Sequence, residues 1–272
     1  MKIAYCLHGL LGFADSKGNS HLEPEYKKVI DPKIGHSSFL RNIAQNHEVD
    51  VFVHSWSHQH EHLVDGIYHP KKLMMEKQID FHNDDRLEIL AHNNSFSKKA
   101  RLFFKRKIDE KKYNEIIEKN RKTSFRSMSR WYSTKKSIEL CKHFSETNKI
   151  KYDLIFLSRF DIEFFTSFDF TDYNESYFWA SHWNKYPTSK LNQEPDKSNQ
   201  FVNSGLMDLW FFAKPEYMFS IMDLYDRVHK YSRSPHFAIF QHLMLKGIPI
   251  NYTKFRWYDY DLIRRHKLGS RS

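Results

Sequence analysis

Few of the residues that would mark a chain as something other than a globular domain are present here. Two of the 272 residues are cysteine, Cys6 and Cys141. They lie far apart in sequence, so no disulfide framework is implied and a reducing compartment fits. Eight glycines and eight prolines exclude a low-complexity or collagen-like chain. No apolar run reaches the length of a bilayer span. The opening MKIAYCLHGLLGF comes nearest, but it lacks a basic leader and a small-residue cleavage site and is interrupted by His8 and Gly9, so it reads as a strand and its loop. A GxGxxG fingerprint and an HExxH pair are also missing. His54, His58, His60 and His62 crowd together without metal-binding spacing, and His58 to His62 read as a solvated loop. A soluble, cytoplasmic protein is expected.

What is present suits one α/β domain spanning residues 1–272. The apolar fraction is 40% and the aromatic fraction 16%, with 23 Phe and 15 Tyr, enough for a sizeable core. The formal charge is +10 and the pI about 9.3, which suits nucleic acid, anionic lipid or a phosphorylated substrate. The excess is concentrated. Ser97 to Lys122 holds eleven Lys or Arg against four Asp or Glu, inside a polar stretch of about residues 70–124 that reads as a basic helical insertion. Phe103, Phe104 and Tyr113 within it keep peripheral contact with an anionic membrane open.

Along the chain, Lys2 to Leu7 reads as a buried strand, Ser37 to Gln45 as a helix and Asp50 to Val53 as a second strand ending at His54. That order opens a doubly wound sheet. The glycine-bearing loop after His8 and Gly9 lets backbone N–H groups approach a ligand closely. Arg126 to Lys149 predicts a long helix leading into the stretch that organises the chain, YDLIFLSRFDIEFF at Tyr152 to Phe165. There an apolar run, Leu154 to Leu157, delivers Arg159, Asp161 and Glu163 to its carboxyl end. Continued extension would place all three on one face. By pattern alone two readings stand, an internal salt bridge closing the sheet end or a metal or phosphate site. The aromatic stretch at Tyr177 to Trp179 reads as another strand, His182 to Gln200 as a long lid-like loop, Leu209 to Phe212 as a strand, Pro215 to Tyr231 and Phe237 to Lys246 as helices, and Ile248 to Tyr252 as a last strand.

The segment YDLIFLSRFDIEF, with MSRWYSTKKSIELCKHFSE upstream, DVFVHSWS at Asp50 to Ser57 and NSGLMDLWFFAKPEYM at Asn203 to Met218, resembles the signature of bacterial and viral GT-A-type glycosyltransferases of surface-polysaccharide synthesis, capsule or lipopolysaccharide. In that group a helix precedes a strand of the type YDxxxxxRxDI, whose aspartate is the counterpart of the DxD motif. The resemblance implies a GT-A-like, Rossmann-related mixed central sheet flanked by helices. It also implies transfer of a sugar from a nucleotide-sugar donor to a glycan or lipid-linked glycan acceptor.

Such chemistry requires the leaving diphosphate to be neutralised and the acceptor hydroxyl to lose its proton. Mn²⁺ or Mg²⁺ is the expected cofactor, with Asp161 as ligand and Glu163 completing a D-x-E variant. His8, Gly9, His54, Arg159, Asp161 and Arg264 are the expected donor contacts, with Arg265 as the alternative to Arg264 at the diphosphate and His266 as a further candidate metal ligand. Asp208 is the candidate general base, with His54 and His236 next. Two other readings remain open at this point: a basic nucleic-acid- or membrane-surface-binding protein without catalysis, and a sugar-phosphate or phosphoryl-group transferase on the same fold.

Overall fold

A computed structural model describes residues 1–11, 30–92, 109–182, 205–255 and 259–263. Seven of the described strands form one sheet. These are β1 (Lys2–Gly9), β2 (Glu48–Ser55), β3 (Lys72–Met75), β4 (Leu154–Arg159), β6 (Phe178–His182), β7 (Leu206–Ala213) and β8 (Ile250–Tyr252), in the order β3-β2-β1-β4-β7-β6-β8. A separate two-stranded ribbon pairs β5 (Ile162–Phe164) with β9 (Tyr260–Leu262). β7 alone in the large sheet runs against its neighbours; every other pairing in it is parallel. This is the mixed, helix-flanked sheet expected of a GT-A-like chain.

Each face of the sheet carries an apolar layer, because β1 and β4 are buried on both sides and read as continuous hydrophobic runs. On one face Ala4, Cys6, Phe52, Ile155, Leu157 and Phe211 pack with Met128, Trp131, Ile138 and Cys141 of a long helix, Glu110–Asn148. On the other face Tyr5, Val53, Phe156, Trp210 and Phe212 meet helices α1 (Pro32–Asn42) and α2 (Glu61–Tyr68) and the β5-β9 ribbon. Aromatic rings dominate that second layer. Tyr5 stacks on Phe39 at 3.6 Å between centroids, and Phe156 lies nearly parallel to Phe212 at 6.1 Å.

The long helix, the fourth α-helix in chain order after α3 (Asp85–His92) and hence α4, is one 39-residue rod. The expected helix from Arg126 is its second half. Asp109 caps the start by accepting the Lys112 amide, and Lys149 at φ 54° ends it, a left-handed stop of the kind that closes many helices. Only the part of the basic segment from Asp109 onward is described, and it forms the first turns of α4. The segment 70–124 is not purely helical. It contributes β3 as an edge strand paired to β2, and α3 puts Leu87 and Leu90 into the core.

Pro215 to Tyr231 is broken rather than one helix, into α5 (Pro215–Ser220), α6 (Asp223–Asp226) and a 3₁₀ turn, Val228–Lys230. The last helix, α7 (Pro235–Leu245), stops at Gly247, whose φ is +66°. Among the described residues no helix is long and apolar enough to cross a membrane.

Candidate active site

The strand order fixes where a ligand would sit. The chain runs from β1 through α1 to β2 on one side, while β4 pairs on the other, so the crevice expected at a topological switch point falls beyond the carboxyl ends of β1 and β4. His8 stands in register with His54 of β2 and with Arg159 of β4. All three share the α4 face, because they continue the alternation of Cys6, Phe52 and Leu157. The amino end of the reversed strand β7 reaches the same edge and brings Asp208.

Asp208 owes its position to an irregularity. Leu206 and Phe211 both belong to the core layer against α4, although the step from one to the other is an odd number of positions, and β7 slips register against β6 in this span. The slip turns the carboxylate toward α4. Its Oδ2 lies 3.4 Å from Arg130 Nε and its Oδ1 3.3 Å from His236 Nδ1. His236 opens α7, and its Nδ1 is 2.9 Å from the Leu206 carbonyl. The same nitrogen lies 3.3 Å from the Asp208 amide, which would need the opposite tautomer. The shorter carbonyl contact, with the carboxylate beside it, puts the proton on Nδ1.

The expected alignment of Arg159, Asp161 and Glu163 on one continuous strand is not what forms. β4 stops at Arg159, Phe160 and Asp161 make a turn, and Glu163 enters the separate ribbon opposite Asp261. The turn folds Asp161 back onto Arg159, whose Nε and a terminal nitrogen reach its two oxygens at 2.7 and 2.5 Å. Asp161 is 3% exposed. A bidentate fork of this kind is the strongest side-chain pairing for a carboxylate. The turn is held from outside by Gly35 of α1. A Cβ there would stand 2.9 Å from the Phe160 carbonyl oxygen and 3.0 Å from that of Ile162, so only glycine lets helix and turn approach this closely.

His54 is committed to the interior. Ser133 Oγ, on α4, accepts the Gly9 amide at 2.8 Å and donates to His54 Nδ1 at 2.7 Å, because the Glu76 carboxylate holds the ring proton of the neutral imidazole on Nε2. The proton on Nε2 then goes to Glu76 Oε1 at 2.8 Å. Burial, opposed by Glu76, lowers the His54 pKa, and the hydrogen bond from His54 lowers that of Glu76. Serine, histidine and glutamate in series have the composition of an acyl-transfer triad, but Ser133 is fully buried and its oxygen is engaged by the Gly9 amide. The chain of bonds is a clasp joining β1, β2, the end of β3 and α4. Gly9 sits at φ +101°, and a Cβ added there would meet nothing within 4 Å, so backbone conformation rather than crowding demands glycine.

Electrostatics separates the two arginines. Burial depresses Arg159, but Asp161 and Asp208 outweigh it and its pKa is raised. Burial, joined by Arg159, pushes Arg130 down to about 10 against the opposing pull of Asp208 and Asp161. The Asp208 carboxyl is held below its usual range: burial works the other way, and Arg130, His236 and Arg159 overcome it. His8 is driven well below the ordinary histidine range by burial, then by Arg130, Arg159 and His54. It is therefore neutral at pH 7.

Arg264, with Arg265 and His266, lies outside the described residues, as do most of the expected lid His182 to Gln200 and Phe103 and Phe104 of the basic segment. Arg130, Ser133 and Glu76 are the site residues that sequence reading did not single out.

The donors expected for a divalent cation are not gathered. Both Asp161 oxygens are occupied by Arg159, Glu163 lies across the turn on another sheet, and among the described residues no group of three or more His, Cys, Asp or Glu is placed to hold a metal. Asp161 and Glu163 therefore do not share one site for Mn²⁺ or Mg²⁺.

Comparison with known proteins adds little to this geometry. No family model matches the chain, and no curated protein does. Among solved structures, mouse xyloside xylosyltransferase 1 in its apo form is similar at a TM-score of 0.35 and 9% identity, over 94% of this chain and 84% of that one. A likeness of that size assigns no function.

Proposed function

We propose that this chain is a glycosyltransferase that moves a sugar from a nucleotide-sugar donor to a glycan or lipid-linked glycan acceptor. The observation that carries this reading is the meeting of Arg159–Asp161 and Arg130–Asp208–His236 at the carboxyl edge of β1 and β4. The Asp161 of that meeting lies in the RFDIE stretch that resembles the DxD signature.

In the reaction, the bond from the sugar's anomeric carbon to the donor diphosphate breaks and a bond to the acceptor oxygen forms. The hydroxyl proton must be taken up and the diphosphate's charge offset. Asp161 orients Arg159, which faces the leaving phosphates. Asp208 alone is a weak proton acceptor because Arg130 keeps it acidic. Burial keeps His236 neutral at pH 7, so the Asp208–His236 pair takes the proton, with Asp208 steadying the imidazolium. Peripheral association with an anionic membrane through the basic segment would bring the enzyme to a lipid-linked acceptor.

A thermal-shift panel of nucleoside diphosphates and nucleotide sugars, with and without Mn²⁺, tests the assignment, since a ligand of the native state raises the melting temperature by mass action. Slow donor hydrolysis should accompany the shift. Salt-sensitive binding of nucleic acid with no donor effect would replace this reading with that of a non-catalytic binding protein.

A further inference from the structure

One face of α4 carries polar atoms that the fold leaves unmet. Ser127, Arg130, Trp131 and Thr134 follow one another at the i, i+3, i+4, i+7 spacing of a single helix stripe. Ser127 Oγ, Arg130 Nε and a terminal guanidinium nitrogen, Trp131 Nε1 and Thr134 Oγ1 are all buried without a hydrogen-bond partner. Both ring nitrogens of His8, a residue 2% exposed, share that condition. Arg130 Nε is near Asp208, but at 3.4 Å it makes no hydrogen bond. Native proteins leave few buried polar groups unsatisfied, and each one costs desolvation energy. Several together on one stripe call for a partner that supplies acceptors.

The stripe is also in the right place. Ser133 meets Gly9 at the carboxyl end of β1. From there to Asn148 the helix runs about 22 Å at about 1.5 Å per residue, comparable with the length of the strands it covers. Ser127 and Arg130 precede Ser133 and so lie on the strand-end side of that contact, where Arg130 meets Asp208. The chemistry is that of an oxyanion: a guanidinium fork, an indole N–H, two hydroxyls and an imidazole, with no acid on the stripe itself.

We infer that Arg130, with Thr134, Ser127 and His8, binds the pyrophosphate group of a nucleoside diphosphate directly, the Arg130 guanidinium supplying the charge for which a divalent metal was expected. This rests on the glycosyltransferase reading and names how that same site holds its leaving group. Arg159 is already matched by Asp161, whereas Arg130 shares Asp208 with His236. Arg130 is the cation with donors to give.

Titration calorimetry of the full chain with inorganic pyrophosphate and with a panel of nucleoside diphosphates, in EDTA and again in MnCl₂, tests it. Binding should be present in EDTA and little changed by Mn²⁺. Arg130→Gln should weaken it by about tenfold or more, as expected for a charge-assisted hydrogen bond, and Arg130→Lys, which keeps the charge but loses the fork, should fall between. Thr134→Val is the control for structure. Removing an unmet hydroxyl without changing shape should raise the melting temperature of the free protein and weaken pyrophosphate. If Thr134→Val instead lowers the melting temperature and leaves affinity intact, buried water serves the stripe and the inference falls. Binding that needs Mn²⁺ and ignores Arg130→Gln overturns it while leaving the glycosyltransferase reading standing. No binding of any diphosphate in either buffer removes both.

Discussion

Arg130 and Asp208 lie 3.4 Å apart, Nε to Oδ2, with side chains 10% and 12% exposed, yet no hydrogen bond joins them. The carboxylate is close enough to be made acidic and too loosely held to satisfy the guanidinium. Its second oxygen faces His236. A carboxylate shared in this way is better suited to steadying a charged imidazole than to taking a proton alone.

Asp208→Asn and His236→Gln are therefore expected to lower the turnover number by similar factors, about a hundred to ten thousand, with donor affinity unchanged. The double variant should be little worse than either single one, because the residues act as a unit. Steady-state kinetics and calorimetric donor binding read this. A large loss for Asp208→Asn beside a near-normal His236→Gln would make the carboxylate the base by itself.

Asp161 and Glu163 were expected as a pair of ligands, and the turn at Phe160 separates them. Asp161→Ala strands the Arg159 charge in a largely buried position, which for a broken buried pair costs about 3–5 kcal/mol, and it should abolish transfer. Glu163→Ala should leave both stability and rate close to wild type. Urea unfolding and donor turnover measured on the two variants check the contrast, and equal losses would restore joint action.

Much of this arrangement was legible in the sequence. Apolar runs located β1, β2, β4 and β7, and the abrupt end of the run at Leu157 located Arg159 and Asp161 at a sheet edge. Arg130 was not legible, because a helix residue gains its role from what the helix lies against, and periodicity does not record that partner. Glu76 was hidden for a similar reason: it follows a four-residue edge strand of intermediate burial whose only signal is pairing with β2. The break after Arg159 was missed because Phe160 and Ile162 are as suited to a strand as their neighbours. Only the approach of Gly35, a tertiary contact, singles out the turn.

That contact gives a further prediction. Gly35→Ala would drive a methyl group against two backbone carbonyls of the turn that carries Asp161, and backbone cannot move aside as a flexible side chain can. The variant should lose about 1–3 kcal/mol, as overpacking commonly does, and lose activity beyond what stability explains. An alanine variant with full stability and full rate would show that the turn is held by other contacts.

The clasp beside the crevice can be tested through stability alone. Ser133→Ala orphans the half-buried Gly9 amide and changes what the buried His54 Nδ1 meets. The expected cost is about 1–3 kcal/mol for each group left unsatisfied. Chemical denaturation of the variant measures it. A negligible change would mean that water enters and replaces the hydroxyl.

Acid should unfold this protein earlier than a carboxylate-only argument suggests. Burial lowers the pKa of His8, His54, His236 and His242 below the ordinary value of 6.5. The groups around them do not reverse this: Arg130 and Arg159 add to it at His8 and His236, Glu76 opposes it at His54 against Lys136, and Asp208 and Asp223 oppose it at His236 and His242. As pH falls through about 6.5 the unfolded chain takes up protons at these positions while the native chain does not, so stability falls with pH. The slope is up to about 1.4 kcal/mol per pH unit for each such histidine. Asp208, held low in the native state, contributes a second loss only further into acid, as pH drops through its depressed native pKa. Urea midpoints between pH 8 and pH 5 should accordingly be flat above about 6.5 and decline below it. A midpoint that stays level down to pH 5 would place these imidazoles in contact with solvent and remove the basis for a neutral His236 at the site.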